Sequence, residues 1–184
     1  AARRANTLVM FFLMKLDEVV PIHPKFFGVD LDRRILEELK KKVEGRANGR
    51  YGYTILVTHI IHASDGKLNE DTGFAHFNVV YSSVVFRPFR NEILFAEATM
   101  INANGFFAQA GPLQVFVSKQ LMPAEFVYDS QDSMPSYVAH DEESRIKSGT
   151  MVRLKLVGLR LAAHADDISA IGTIKEDYLG PVES

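Results

Sequence analysis

The chain has 184 residues, of which 47% are hydrophobic and 24% charged, and a formal net charge of -2. These values suit an ordinary globular protein of one large or two small domains; they exclude disorder over most of the length, and any contact with nucleic acid has to come from a local patch, not from general basicity. Cysteine is absent, which removes disulfides, thiolate metal sites and cysteine nucleophiles, and no apolar run approaches the roughly 20 residues that span a bilayer.

Arg3 and Arg4 ahead of the apolar stretch 8–14 have a trace of a signal peptide, but the run is short, Lys15 and Asp17 break it off, and no small-residue cleavage site appears. Met10 reads as a natural start, with residues 1–9 a variable extension. Residues 10–20 are β-prone, and Pro21 and Pro24 are expected to stop that strand. Asp30 can cap a helix reaching about Val43, because Leu31, Ile35, Leu39 and Val43 recur every four residues. Lys40, Lys41 and Lys42 favour the helix C-terminus and Gly45 stops it. A glycine-bearing loop with Gly45, Gly49 and Gly52 leads into a strand over 53–61. A polar turn covers 65–73, and a second long strand covers 74–86, with Phe77, Val79, Tyr81 and Val85 on one face. This is an α+β unit with one helix on an antiparallel sheet, spanning residues 10–87.

Arg87-Pro88-Phe89-Arg90 reads as a join, and from 88 to 184 the composition is all-β. Strands are expected over 92–102, 105–110, 113–117, 151–159 and 168–174, with glycine-bearing turns, as in an OB-type barrel. The polar insertion 124–148 carries Pro135 and Asp141-Glu142-Glu143, and a loop of that length is expected to be functional or partly disordered.

The chemistry-bearing residues do not assemble into a catalytic motif. His59 and His62 are three apart and His76 could join them, but zinc needs ligands converging on one point, and residues three apart in a strand point to opposite faces. The pairs Glu142-Glu143 and Asp166-Asp167 diverge as neighbours on a strand or sit in turns. No HExxH, GxSxG, GxxxxGK[ST] or GxGxxG motif occurs. The expectation is therefore no catalytic residue, no metal and no cofactor. A binding surface is left. Arg153 and Lys155 alternate with Val152, Leu154 and Leu156, so the cations share the outer face if the aliphatics fill the barrel. Of the adjacent Phe106 and Phe107, one faces in and one out, and Phe116 is a further outward aromatic. Exposed aromatics beside cations take single-stranded RNA, whose bases stack without sequence demand. Phe106, Phe107, Phe116, Arg153 and Lys155 are thus the candidate RNA-binding set.

Asn104-Gly105-Phe106-Phe107-Ala108 and Val115-Phe116-Val117-Ser118 resemble the second and third strands of the OB fold of the ribosomal S-one type, with phenylalanine at 116 where that fold commonly has histidine. A narrower resemblance is carried by His23-Pro24-Lys25-Phe26-Phe27-Gly28, Tyr51-Gly52-Tyr53, Phe77-Asn78-Val79-Val80-Tyr81, Val84-Val85-Phe86-Arg87-Pro88-Phe89, Gly111-Pro112-Leu113 and, most specifically, residues 170–180 ending Lys175-Glu176-Asp177-Tyr178-Leu179-Gly180. In this order they resemble the seventh-subunit family of RNA polymerase II, over nearly the whole chain from Met10 to Val182, and fit that branch better than its archaeal or polymerase I and III counterparts.

The resemblance implies an RNP-like tip domain followed by the OB domain. It also implies a stalk heterodimer with the polymerase's fourth subunit, docked on the polymerase core beside the clamp and RNA exit path, in the nucleus. It makes Gly45, Gly49, Tyr51, Gly52, Asp65 and Gly66 candidate core-docking residues. Lys175, Glu176, Asp177, Tyr178, Leu179 and Gly180 become candidates for the partner-subunit interface. Such a subunit makes and breaks no bond, contacts nascent RNA or other single-stranded nucleic acid, and exposes apolar surface until a partner covers it. The alternative is a free-standing OB-fold RNA-binding protein of RNA decay or translation, for which the N-terminal strings have no use. A metal-dependent enzyme is the third reading, and a metal assay on purified protein addresses it.

Overall fold

The structure is a computed structural model that describes residues 10–130, 134–140, 144–161 and 168–182. It contains two compact units, residues 11–87 and residues 88 onward.

In the first unit β1 (Phe11–Ile22) leads through a single 3-10 turn (Pro24–Phe26) to α1 (Leu31–Val43), then β2 (Ala47–Asn48), β3 (Gly52–Ala63), β4 (Lys67–Leu68) and β5 (Ala75–Phe86). The sheet is antiparallel in the order β1-β5-β3-β2, with β4 also on β5. The helix lies where the four-residue recurrence puts it and buries Ile35, Leu39 and Val43 against Val20, Ile22, Val57, Phe77, Val79 and Tyr81. Asp30 is the N-cap residue, although its side chain makes no capping hydrogen bond. Two of the three lysines at the helix end are engaged, Lys41 with Glu38 and Lys42 with Glu18 and the Val19 carbonyl.

One expectation fails at Pro21, which does not end β1. Among the described residues β1 pairs only with β5, so it is an edge strand, and an edge tolerates a residue with no N–H to give. β3 carries register shifts against β5 at three places, which the sequence does not announce.

Tyr81 is wholly buried, and its hydroxyl has no hydrogen-bond partner among the described residues. Burial first, then Tyr51, Glu18 and Asp17, push its phenol above the usual range. Tyr81→Phe is therefore expected to leave urea stability at neutral pH unchanged, or to raise it by up to about 1 kcal/mol. Above about pH 10 the unfolded chain releases this proton while the native state keeps it, so native stability falls as pH rises. The variant removes Tyr81's share of that fall. A clear loss of neutral-pH stability in the variant would contradict the assignment.

The second unit is built from β6 (Ile93–Asn102), β7 (Gly105–Ala110), β8 (Leu113–Ser118), β9 (Val127–Asp129), β10 (Ser136–Val138), β11 (Arg145–Ile146), β12 (Met151–Leu161), β13 (Ile168–Thr173) and β14 (Gly180–Pro181). The sheet order β13-β8-β7-β6-β12 closes on itself through the β12–β13 pairing, and β13 runs parallel to β8. This is a closed five-stranded barrel of OB type, with β14 added to β12. Alternation fills the interior with Leu94, Ala96, Phe106, Val115, Leu154 and Leu156.

The insertion between β8 and β12 is not the long loop that its length and polarity suggest. It forms a small antiparallel sheet in the order β11-β10-β9. Tyr137 and Ile146 are wholly buried there, and the Tyr137 hydroxyl donates to the Asn102 carbonyl of β6 at 2.7 Å. Strands of two or three residues lie below what alternation can reveal.

Candidate functional site

On the barrel's outer face the register sets Phe107 of β7 opposite Phe116 of β8. Their ring centroids are 4.9 Å apart and their planes are tilted by 43°, a separation within the range that aromatic pairs prefer. Met100 of β6 pairs with Phe107, and Ile171 of β13 pairs with Phe116. A row of four outward apolar side chains therefore crosses four adjacent strands, and both ends, Met100 and Ile171, are exposed. Phe106 points the other way and is 0% exposed. It is a core residue and offers no stacking plane.

Arg153 and Lys155 do face outward, but they do not join this row. They lie on β12, whose barrel neighbours are β6 and β13, while the two phenylalanines lie on β7 and β8. Alternation distinguishes inside from outside. In a closed barrel, however, outside is a different direction on every strand. The Arg153 guanidinium sits 5.9 Å from the centre of the Phe95 ring, and its Nε is buried with no partner among the described residues. The Lys155 ammonium is held by both carboxylate oxygens of Glu176 at 2.8 Å. The candidate set thus separates into one core residue, one aromatic pair, and two cations on another side, one of them ion-paired.

The candidate interface residues 175–180 form the turn that returns the chain to β12. Lys175 N donates to Thr173 Oγ1, Leu179 N donates to the Glu176 carbonyl, and Gly180, at φ 128°, pairs with Arg153. Asp177 is exposed beside Tyr178. Tyr178 is 89% exposed and takes φ 65°, a left-handed conformation that costs a non-glycine residue about 1–2 kcal/mol. An aromatic side chain is displayed to solvent on a strained backbone, and nothing in the unit explains it.

The candidate docking residues are not brought together. Gly45, Gly49, Tyr51 and Gly52 lie at the end of the sheet where β3 starts, with Gly52 against the Phe86 carbonyl. Asp65 and Gly66 follow the other end of β3. At about 3.3 Å per residue, the length of β3 separates them. Tyr51 is half-buried, and burial, followed by Glu18, raises its phenol pKa. Gly66 gives room to the Phe77 ring, which would stand 2.6 Å from a Cβ there.

At the Asp65 end, beside the turn over 65–73 that the resemblance made a docking element, the structure exposes further apolar side chains. Phe26, Phe27, Val29, Leu68 and Phe74 are all exposed. Lys25 and Arg34 lie over the Phe26 ring at 4.9 and 5.1 Å. The signal was present as two consecutive phenylalanines in a loop, where no core could take both.

His59 and His62 correct a geometric expectation. The irregularity between Ile60 and His62 puts an extra residue, Ile61, into β3, so His59 pairs with Ser82 and His62 with Val80. Ser82 and Val80 share a face of β5, and both histidines therefore lie on the face away from α1. Among the described residues no three His, Asp or Glu side chains gather as a metal site requires. Glu142-Glu143 and Asp166-Asp167 lie outside the described residues.

Residues 17–73 match the family described as the SHS2 domain found in the N terminus of Rpb7p/Rpc25p/MJ0397. Over 173 residues the chain is 44% identical to DNA-directed RNA polymerase II subunit RPB7 of Glycine max, covering 94% of this chain and 97% of that protein. Against the RPB7 of Saccharomyces cerevisiae the figures are 36% over 175 residues, covering 94% of this chain and all of that protein. DNA-directed RNA polymerase V subunit 7 of Arabidopsis thaliana is 30% identical over 157 residues, 84% of this chain and 86% of that protein. Likeness to the polymerase II subunits runs through both units at higher identity than to the polymerase V subunit, and the chain belongs to the RPB7 family of DNA-directed RNA polymerase II subunits.

Proposed function

We propose that this chain acts as a non-catalytic stalk subunit. It pairs with the fourth subunit of RNA polymerase II, docks on the core near the clamp and RNA exit path, supports initiation in the nucleus, and holds nascent RNA or other single-stranded nucleic acid on the Phe107–Phe116 face. The observation that carries this reading is that the likeness to RPB7 covers 94% of the chain, both units included. A free-standing OB protein has no use for the unit over residues 11–87.

The exposed apolar end of that unit supports the docking role. Phe26, Phe27, Val29, Leu68 and Phe74 form a patch that a partner protein would cover, with Lys25 and Arg34 as its polar rim. Asp65 and Gly66 belong to this end, while Gly45, Gly49, Tyr51 and Gly52 would meet a separate part of the core. The turn over 175–180 supports pairing, with exposed Tyr178 as the anchor offered to the fourth subunit.

RNA contact by stacking gives an ordered expectation for binding titrations with single-stranded RNA. Phe116→Ala should cost about 1–3 kcal/mol of affinity. Lys155→Ala should cost much less, because Glu176 already occupies that ammonium. A large loss in the lysine variant with none in the phenylalanine variant would move the RNA to the β12 side.

A further inference from the structure

A second row of side chains lies beside the aromatic one on the same outer face. Gln109 of β7 stands opposite Gln114 of β8, Glu97 of β6 opposite Gln109, and Ser169 of β13 opposite Gln114. Gln109, Gln114 and Ser169 are each two residues along their strands from Phe107, Phe116 and Ile171, so both rows face the same way. The offset of about 7 Å is comparable to the reach from the middle of a stacked base, across its hydrogen-bonding edge, to a bonded partner atom. Gln114 is exposed, and its amide enters no hydrogen bond among the described residues. Gln109 is oriented by its own bond, Nε2 donating to the Gly111 carbonyl at 2.8 Å, which leaves its oxygen to accept. Across these four strands the two rows carry one charged side chain, Glu97, and no cation.

We propose that this face reads bases and not phosphates, and that Gln114, with Gln109 beside it, gives it a preference for adenine. The inference rests on the RNA-stacking role proposed for Phe107 and Phe116 and goes beyond it by naming the base and the residues that select it. Bases lie on the Phe107–Phe116 row and turn their edges to the amide row. A glutamine amide sets a donor beside an acceptor, and this matches the N7 acceptor and N6 amino donor of adenine. With no cation in the two rows, few counterions are released on binding and affinity falls only slightly with salt.

The test is titration of the purified full chain with single-stranded homopolymers of adenine, uracil and cytosine RNA at several salt concentrations. Adenine RNA should bind about five-fold or more tighter than uracil RNA, and the log–log salt slope should be shallower than about -1. Gln114→Ala should remove the preference by weakening adenine RNA alone. Phe116→Ala should weaken all three by a similar factor. If Gln114→Ala keeps the preference, if adenine is not preferred, or if the salt slope is steep, the inference is overturned, while a loss in Phe116→Ala leaves the stacking face standing. If Phe116→Ala changes none of the three affinities, the stacking reading falls and takes this inference with it.

Discussion

Gly105→Ala should unfold the barrel at markedly lower denaturant than the unchanged chain, losing about 3 kcal/mol or more from added overpacking and backbone strain. Gly105 opens β7 at φ 149°, and a Cβ there would stand 2.2 Å from the Val117 carbonyl oxygen and 3.0 Å from Ser118 Cα. Both neighbours are backbone of β8, the strand that pairs with β7, and cannot rotate aside as a side chain would. Relief requires opening the β7–β8 ladder at its first pair, Gly105–Ser118, next to the aromatic pair. Gly111→Ala is the matched control. It has φ 59° but nothing within 4 Å of its Cβ, so it carries strain alone, about 1–2 kcal/mol. Urea unfolding of the two variants separates crowding from conformation; equal losses would show that the close approach to Val117 is not what requires glycine at 105.

The second large effect is expected at Tyr137. Tyr137→Ala should cost about 3–5 kcal/mol, as for other large buried aromatics. The loss should come with rapid hydrogen exchange throughout the β9–β11 sheet. Tyr137 is wholly buried, its ring packs 5.5 Å from that of Tyr128, and its hydroxyl ties the insertion to Asn102 at 2.7 Å. Tyr137→Phe keeps the packing and loses only the bond, leaving the Asn102 carbonyl short of a donor, for about 1–2 kcal/mol. If the alanine variant were as stable as the unchanged chain, the insertion would not be anchored through this residue.

The parts of the fold legible in the sequence were those with a sustained period. Ile35, Leu39 and Val43 recur along a helix long enough to show one face. Val152, Leu154 and Leu156 alternate along a strand long enough to show the inside of a barrel. Where the period breaks or the element is short, the sequence misleads. One extra residue in β3 turns His59 and His62 to the same face. Tyr137 and Ile146 sit on strands of three and two residues, which no alternation can mark.

The candidate site was half legible for a related reason. Adjacency showed that only one of Phe106 and Phe107 could face out, yet which of them did depended on the phase of the whole strand. Outwardness grouped Arg153 with Phe116, although barrel closure places β12 away from β8. Glu176, the partner of Lys155, is 21 residues away along the chain, and no local pattern links them. The amide row was invisible for the opposite reason: Gln109 and Gln114 look like ordinary surface residues until the register sets them opposite each other.

Whether this chain works as a polymerase stalk subunit can be read by tagging the full chain in its own cells, purifying it gently and identifying what accompanies it by mass spectrometry. A stalk subunit should bring with it a fourth-subunit homologue together with the large subunits of RNA polymerase II. Recovery of RNA with ribosomal or decay factors, and no polymerase subunit, would contradict it.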